Sequence, residues 1–255
     1  MYETIEVIRR GAIAELWLTR PDKLNPLSVA TLRELAAATR ELDRDDELRA
    51  VILGGRGRCF SAGADLGGFP APGEAGARAA ADAGREAADA LEAMGAVTVA
   101  RLHGWCVGGG LVLAAACDLR VATHTTRFSI PEIDLGIPLA WGGIPRLLRE
   151  MGPALTKELV MTCRAFDADE AQRCGFLNRV VSETALDDAV NELAEAVAAR
   201  PRYPVRATKR HVDAIMRAQV GLDRSWSDAD SLLAGLLDPE CEAARSAYLK
   251  QRGRK

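Results

Sequence analysis

The chain has 255 residues, of which 48% are apolar, and a formal net charge of −3. That length buries one substantial core and suits a single α/β domain. The near-neutral balance provides no nucleic-acid surface and no polybasic membrane anchor, and no apolar run reaches the ~20 residues of a bilayer span.

The N-terminal MYETIEVIRRG lacks an apolar signal core, so a cytoplasmic protein is expected. Alternating apolar stretches at 5–8 and 13–18 read as the first two strands. A helical pattern follows over 28–42, with Ser28 placed as its N-cap. The next strand, Val51-Ile52-Leu53, runs through Gly54-Gly55-Arg56-Gly57 into Cys59-Phe60-Ser61-Ala62-Gly63-Ala64-Asp65-Leu66. Small residues there let backbone approach a ligand, or form a loop in which Asp65 caps a helix. The stretch 67–76, rich in Gly, Pro and Ala, reads as a loop, and 75–94 as a helix.

A strand over 97–102 precedes the triplet Gly108-Gly109-Gly110, which opens the apolar run Leu111-Val112-Leu113-Ala114-Ala115-Ala116. A helix start carries bare N–H groups and partial positive charge, which makes it a seat for an anion. No Gly-Lys-Ser/Thr follows, so a phosphate loop does not fit, and an oxyanion formed during acyl chemistry does. The competing structural reading is a tight turn or close helix packing. After another strand at 119–122, the segment Phe128-Ser129-Ile130-Pro131-Glu132-Ile133-Asp134-Leu135-Gly136 sets Glu132 among apolar neighbours. Desolvation there would raise its pKa into general-base range, whereas a solvated loop glutamate would stay ordinary. A short strand at 179–181 ends the alternation of strands and helices, and from about Ala185 to Lys250 only helical periodicity remains.

Six cysteines (Cys59, Cys106, Cys117, Cys163, Cys174, Cys241) show no Cys-x-x-Cys pairing and only three histidines accompany them. Reduced thiols are expected, with no metal site and no disulfide framework. His103 and Ser61 lack the companions of a catalytic triad, and Asp118 and Arg146 read as structural ion-pair members. No Gly-x-Gly-x-x-Gly follows the first strand, which argues against a nucleotide-binding redox enzyme.

Taken together, Arg20-Pro-Asp-Lys-Leu-Asn-Pro-Leu27, the segment 59–66, the segment 103–118, the segment 128–136, the segment 142–147 and AQRCGFLNRVV at 171–181 resemble the crotonase, or enoyl-CoA hydratase/isomerase, superfamily in order and spacing. The resemblance implies an α/β spiral of ββα units. Residues 1–184 would form the core with the acyl-CoA site. The helical region 185–255 would make oligomer contacts, close the CoA site, and build a homotrimer or a hexamer of paired trimers.

The same resemblance implies that the amides of Ala64 and Gly109 hold the thioester oxygen of an acyl-CoA, with Glu132 as the acid–base group. CoA contacts, largely through backbone, would come from Asp22, Lys23, Leu24, Ala62, Asp65 and Leu66, with Tyr248 and a nearby cation, Lys250 or Arg252, at the adenine and phosphate end. Gln251 stands where a lysine is usual. No bound cofactor is implied, because CoA arrives with the substrate. Hydratases of the superfamily grip water between two glutamates, and the first of those positions is Val112 here. A single base suits a double-bond shift, so a Δ3,Δ2-enoyl-CoA isomerase is expected. Trp141 would form a wall of the acyl pocket. The alternatives are an enoyl-CoA hydratase of fatty-acid β-oxidation and an acyl-CoA-binding protein without chemistry.

Overall fold

A computed structural model of the chain describes residues 2–68, 73–221 and 228–251. Its main sheet has six strands in the order β1 (Ile5–Arg10), β2 (Ile13–Leu18), β3 (Ala50–Gly55), β4 (Val97–Leu102), β6 (Leu119–Thr123) and β9 (Arg179–Val181). Within this sheet only β1 and β2 pair antiparallel, through the turn at Gly11, and every later neighbour is parallel. Parallel strands need crossovers, which here are helical: α1 (Val29–Leu42) joins β2 to β3, and α2 (Gly73–Ala93) joins β3 to β4. The second sheet is small: β5 (Trp105–Val107), β7 (Arg127–Ser129) and β8 (Phe166–Asp167). The order β4–β5–α3–β6–β7 thus alternates between sheets, with α3 (Gly109–Ala115) wholly buried between them.

The long strands form where expected because β2, β3 and β4 are buried along almost their whole length and carry runs of Ile, Leu and Val. Helix α1 starts where its cap predicts, with Ser28 Oγ accepting from the Thr31 amide at 3.2 Å. Helix α2 packs along α1, and α4 (Gly143–Thr162) packs on α3. The three strands of the small sheet were not predicted, since none exceeds three residues. Phe128 on β7 nevertheless anchors an aromatic cluster, stacked on Phe166 at 5.1 Å and edge-on to Phe176 at 5.9 Å.

After α5 (Ala168–Arg173) and β9, the chain is helical, as its periodicity predicts: α6 (Leu186–Ala198), α7 (Arg202–Gln219), α8 (Asp228–Leu237) and α9 (Pro239–Gln251). These helices do not act as one unit. Helix α6 covers the main sheet, where Leu186, Ala189, Val190 and Ala194 pack on Ala50, Ile52, Val99 and Val121. Helix α8 lies against α2, and α9 against α8. Part of the predicted loop at 67–76 lies outside the described residues, and its end, from Gly73, is already helix α2. Among the described residues, no helix is long and apolar enough to cross a membrane.

Candidate active site

The segment after β3 is held on two sides. Asn25 donates from Nδ2 to the carbonyls of Arg56, Cys59 and Phe60, and accepts at Oδ1 from the Arg20 amide. Ser61 donates from Oγ to the Asn25 carbonyl at 2.7 Å and accepts from the Gly63 amide at 3.1 Å. On one flank Leu27 N–H donates to Gly63 and Asp65 N–H donates to Leu27. On the other, Ser61 N–H donates to Trp105 and Val107 N–H donates to Ser61, so this stretch runs parallel to β5 with Ser61 opposite Cys106. Past that bridge β5 ends and Gly109 opens α3, and Ala64 and Gly109 line the same cavity. The neighbouring backbone agrees: a Cβ built on Gly63 would lie 3.8 Å from the Gly109 nitrogen.

The amides of Gly63 and Asp65 are both engaged, while that of Ala64, between them, has no acceptor among the described residues. Gly109 opens α3, whose N-cap Gly108 supplies no side chain, and the Gly109 amide likewise has no acceptor there. Two unspent donors, one of them at a helix N-terminus, therefore share one cavity wall.

Glu132 sits in the turn after β7, its own carbonyl accepting from the amides of Leu135 and Ile137. Its carboxylate reaches the glycine triplet. A Cβ on Gly108 would fall 2.3 Å from Oε1, and Gly108 adopts φ +49°, so glycine is required there on both counts. Oε2 is sealed from solvent and has no hydrogen-bond partner among the described residues. Burial pushes the Glu132 carboxyl up to about 7, with a backbone hydrogen bond pulling weakly the other way. Desolvation without a cation is the condition under which a carboxyl becomes a proton carrier near neutral pH.

Ala64, Gly109 and Glu132 line one cavity of about 370 Å³ together with Lys23, Asp65, Val112 and Trp141. Asp65 is the other carboxylate on that wall, and it is occupied. Burial alone would raise its pKa, but the Gly67 amide at 3.0 Å and the Arg20 guanidinium at 2.9 Å hold it below the usual carboxylate range. Val112 is fully buried, so α3 contributes an apolar side chain, not a second carboxylate, to this cavity.

Of the other predicted contacts, Asp22, Leu24, Ala62 and Leu66 do not line this cavity. The side chain of Asp22 is exposed, and the Leu24 carbonyl is taken by the Ala62 amide, which stiffens this edge without facing the ligand space. Tyr248 and Lys250 lie on α9, packed toward α8 and not on the cavity wall, while Arg252 lies outside the described residues. His103 is locked elsewhere, between Arg101 and the Gly57 carbonyl, and Asp118 is held by Thr98 and Lys209. A larger cavity of about 760 Å³ lies between α7 and the core, but of its four acids Glu92, Asp118 and Glu150 are bound to Arg149, Lys209 and Arg120, and it is lined by neither Ala64 nor Gly109. Sequence reasoning missed Leu32 of α1 and Leu232 of α8 as wall residues. Leu32 follows the buried stripe of its helix, but periodicity does not say what covers that stripe.

An enoyl-CoA hydratase/isomerase family model matches residues 9–248. The chain belongs to the enoyl-CoA hydratase/isomerase family. It is 32% identical to a crotonyl-CoA hydratase from Syntrophomonas wolfei over 253 residues, 98% of this chain and 96% of the relative. It is 37% identical to a carnitinyl-CoA dehydratase from Citrobacter koseri over 210 residues, covering 82% of this chain and 80% of that one. Among solved structures, an enoyl-CoA hydratase/isomerase from Xanthobacter autotrophicus superposes with a TM-score of 0.90 at 28% identity, covering 99% of this chain and 94% of that one. The crotonase-type α/β fold and the family's acyl-CoA chemistry thus stand as the sequence implies. The preference for isomerisation gains no support, since these two relatives are named for adding or removing water.

Proposed function

We propose that this enzyme adds water reversibly to the 2,3 double bond of an enoyl-CoA thioester, with Glu132 as its single acid–base group. The observation that carries the reading is one desolvated carboxyl, its Oε2 without a partner among the described residues, lining the same cavity as two unspent amides. The amides of Ala64 and Gly109 receive the thioester oxygen, and the negative charge that develops there is what they stabilise. Water bonds to C3 and gives a proton to ionised Glu132, while the π electrons shift toward the thioester oxygen as an enolate. Protonated Glu132 then returns that proton to C2. The product carries OH on C3 and H on C2, and the carboxylate is regenerated. Lys23 at the cavity edge offers positive charge to the CoA portion.

Val112 favours a second reading. With one carboxylate and an apolar residue opposite, water has half the anchoring that a carboxylate pair would give, whereas a double-bond shift needs no water. Glu132 would remove a C2 proton from a 3-enoyl thioester and return it to C4. Assaying 2-enoyl-CoA and 3-enoyl-CoA in parallel separates the two. Hydration of the 2-enoyl ester as the faster reaction supports the first reading. Conversion of the 3-enoyl ester with the 2-enoyl ester left unhydrated overturns it.

A further inference from the structure

Trp141 stands at φ +62°, in the left-handed region where a bulky aromatic residue is a backbone outlier. The turn is held from two directions. Buried Arg146 donates to the carbonyl oxygens of Trp141 at 2.9 Å and Gly142 at 3.3 Å, while Asp89 and Glu92 of α2 hold its other nitrogens. From α8, Asp228 accepts from the Gly142 amide at 2.8 Å. Strain maintained by three helices aims one side chain at one place.

That place is a slot between α2 and α3. A Cβ on Gly84 would fall 2.0 Å from the indole, and one on Gly109 would fall 2.1 Å from it. Two glycines on different helices leave room for one ring, and the ring's remaining face looks into the cavity beside Val112, Leu139 and Ala81. The cavity volume of about 370 Å³ is near the small end of the ~300–1,000 Å³ usual for ligand sites, and the thiol end of CoA must share it.

We propose that Trp141, seated between Gly84 and Gly109, is the floor of the acyl subsite and restricts the substrate to short, butyryl-sized acyl chains. The proposal rests on the acyl-CoA reading of this cavity and adds the residue that sets chain length. It also gives the ring a second consequence: by resting on Gly109 it keeps that amide directed at the thioester and shields it from water.

The test compares dissociation constants for butyryl-CoA and decanoyl-CoA, measured by calorimetry on the purified protein and on Trp141→Ala, Trp141→Phe and Gly84→Ala. Wild type should bind butyryl-CoA at least about tenfold more tightly than decanoyl-CoA, because a methylene refused by an apolar pocket is worth about 10–200-fold. Trp141→Ala should shift that ratio toward decanoyl-CoA by about tenfold or more, and Trp141→Phe should shift it less, in the same direction. Gly84→Ala, whose methyl drives the indole into the cavity, should weaken butyryl-CoA binding. If Trp141→Ala does not fold, the shift in Trp141→Phe decides. An unchanged ratio in the folded Trp141 variants, or a wild type that prefers decanoyl-CoA, overturns the proposal. Turnover is scored separately: a chain-length ratio that behaves as stated, with no turnover of any enoyl-CoA, removes the proposed reaction and leaves the floor in place.

Discussion

A carboxyl whose pKa stands at about 7 is half-ionised at neutral pH, and Glu132 owes that value to burial and not to a neighbouring acid. The base form does the work, so kcat/KM should rise with pH through about 7 in the wild type. Glu132→Gln should lose about 10²–10⁴-fold in turnover while still binding acyl-CoA. The same shift bears on stability. The folded state holds a proton that the unfolded chain releases at the ordinary carboxyl pKa, so raising pH from about 4.5 through 7 costs the fold up to about 3 kcal/mol. Glu132→Gln removes that cost: its thermal midpoint should exceed the wild type's at pH 8 and match it below pH 4. Midpoints that move in parallel at both pH values would mean that Glu132 is solvated. The sequence singled out Glu132 and the glycine triplet because the chemistry depends on residue type at fixed spacing. It placed Trp141 near the pocket but not in its slot, since the slot depends on how closely α2 approaches α3.

Between elements, the buried cation Arg146 is the main polar tie. It joins α4 to α2 through Glu92 and Asp89 and supports the turn at 141–142. Arg146 is 1% exposed, and Arg149 also binds Glu92. Arg146→Met should therefore destabilise by about 3 kcal/mol or more, because it leaves part of a buried carboxylate uncompensated and the Trp141 carbonyl oxygen without its donor. Denaturant unfolding measures this, and a loss below about 1 kcal/mol would mean that water replaces the guanidinium. The long strands were legible because β2, β3 and β4 are six residues each and dense in Ile, Leu, Val and Ala. Strands β5, β7 and β8 were not, because two or three residues show no period. Yet β5 is what the segment carrying Ala64 pairs with, through the bridge of Ser61 to Cys106. Arg20–Asp65, which neutralises the cavity's other carboxylate, was also invisible, since its members lie 45 residues apart.

At the scale of the molecule, α6 is consumed by the main sheet, whereas α7 has no buried residue and leaves Tyr203, Val212 and Ile215 exposed. Single exposed apolar residues are ordinary, but several on one helix ask for cover. The trimer or paired-trimer hexamer implied by the family resemblance would provide it, and light scattering coupled to size exclusion should return three or six times the 27.3 kDa chain mass. A monomer at micromolar concentration would contradict that expectation. The C-terminal third would then serve more than one purpose, with α6 in the core, α8 on α2 above the cavity, and α7 outward.

The claim on which the rest depends is that one carboxyl exchanges a proton with the carbon beside a thioester whose oxygen rests on two amides. Incubating the enzyme with butyryl-CoA in heavy water and following the C2 protons by NMR tests it without any need to know the overall reaction. The account predicts deuterium at C2 with the wild type and none with Glu132→Gln under conditions where both bind the ester. Exchange that persists in Glu132→Gln, or its absence from a wild type that binds the ester, would contradict it.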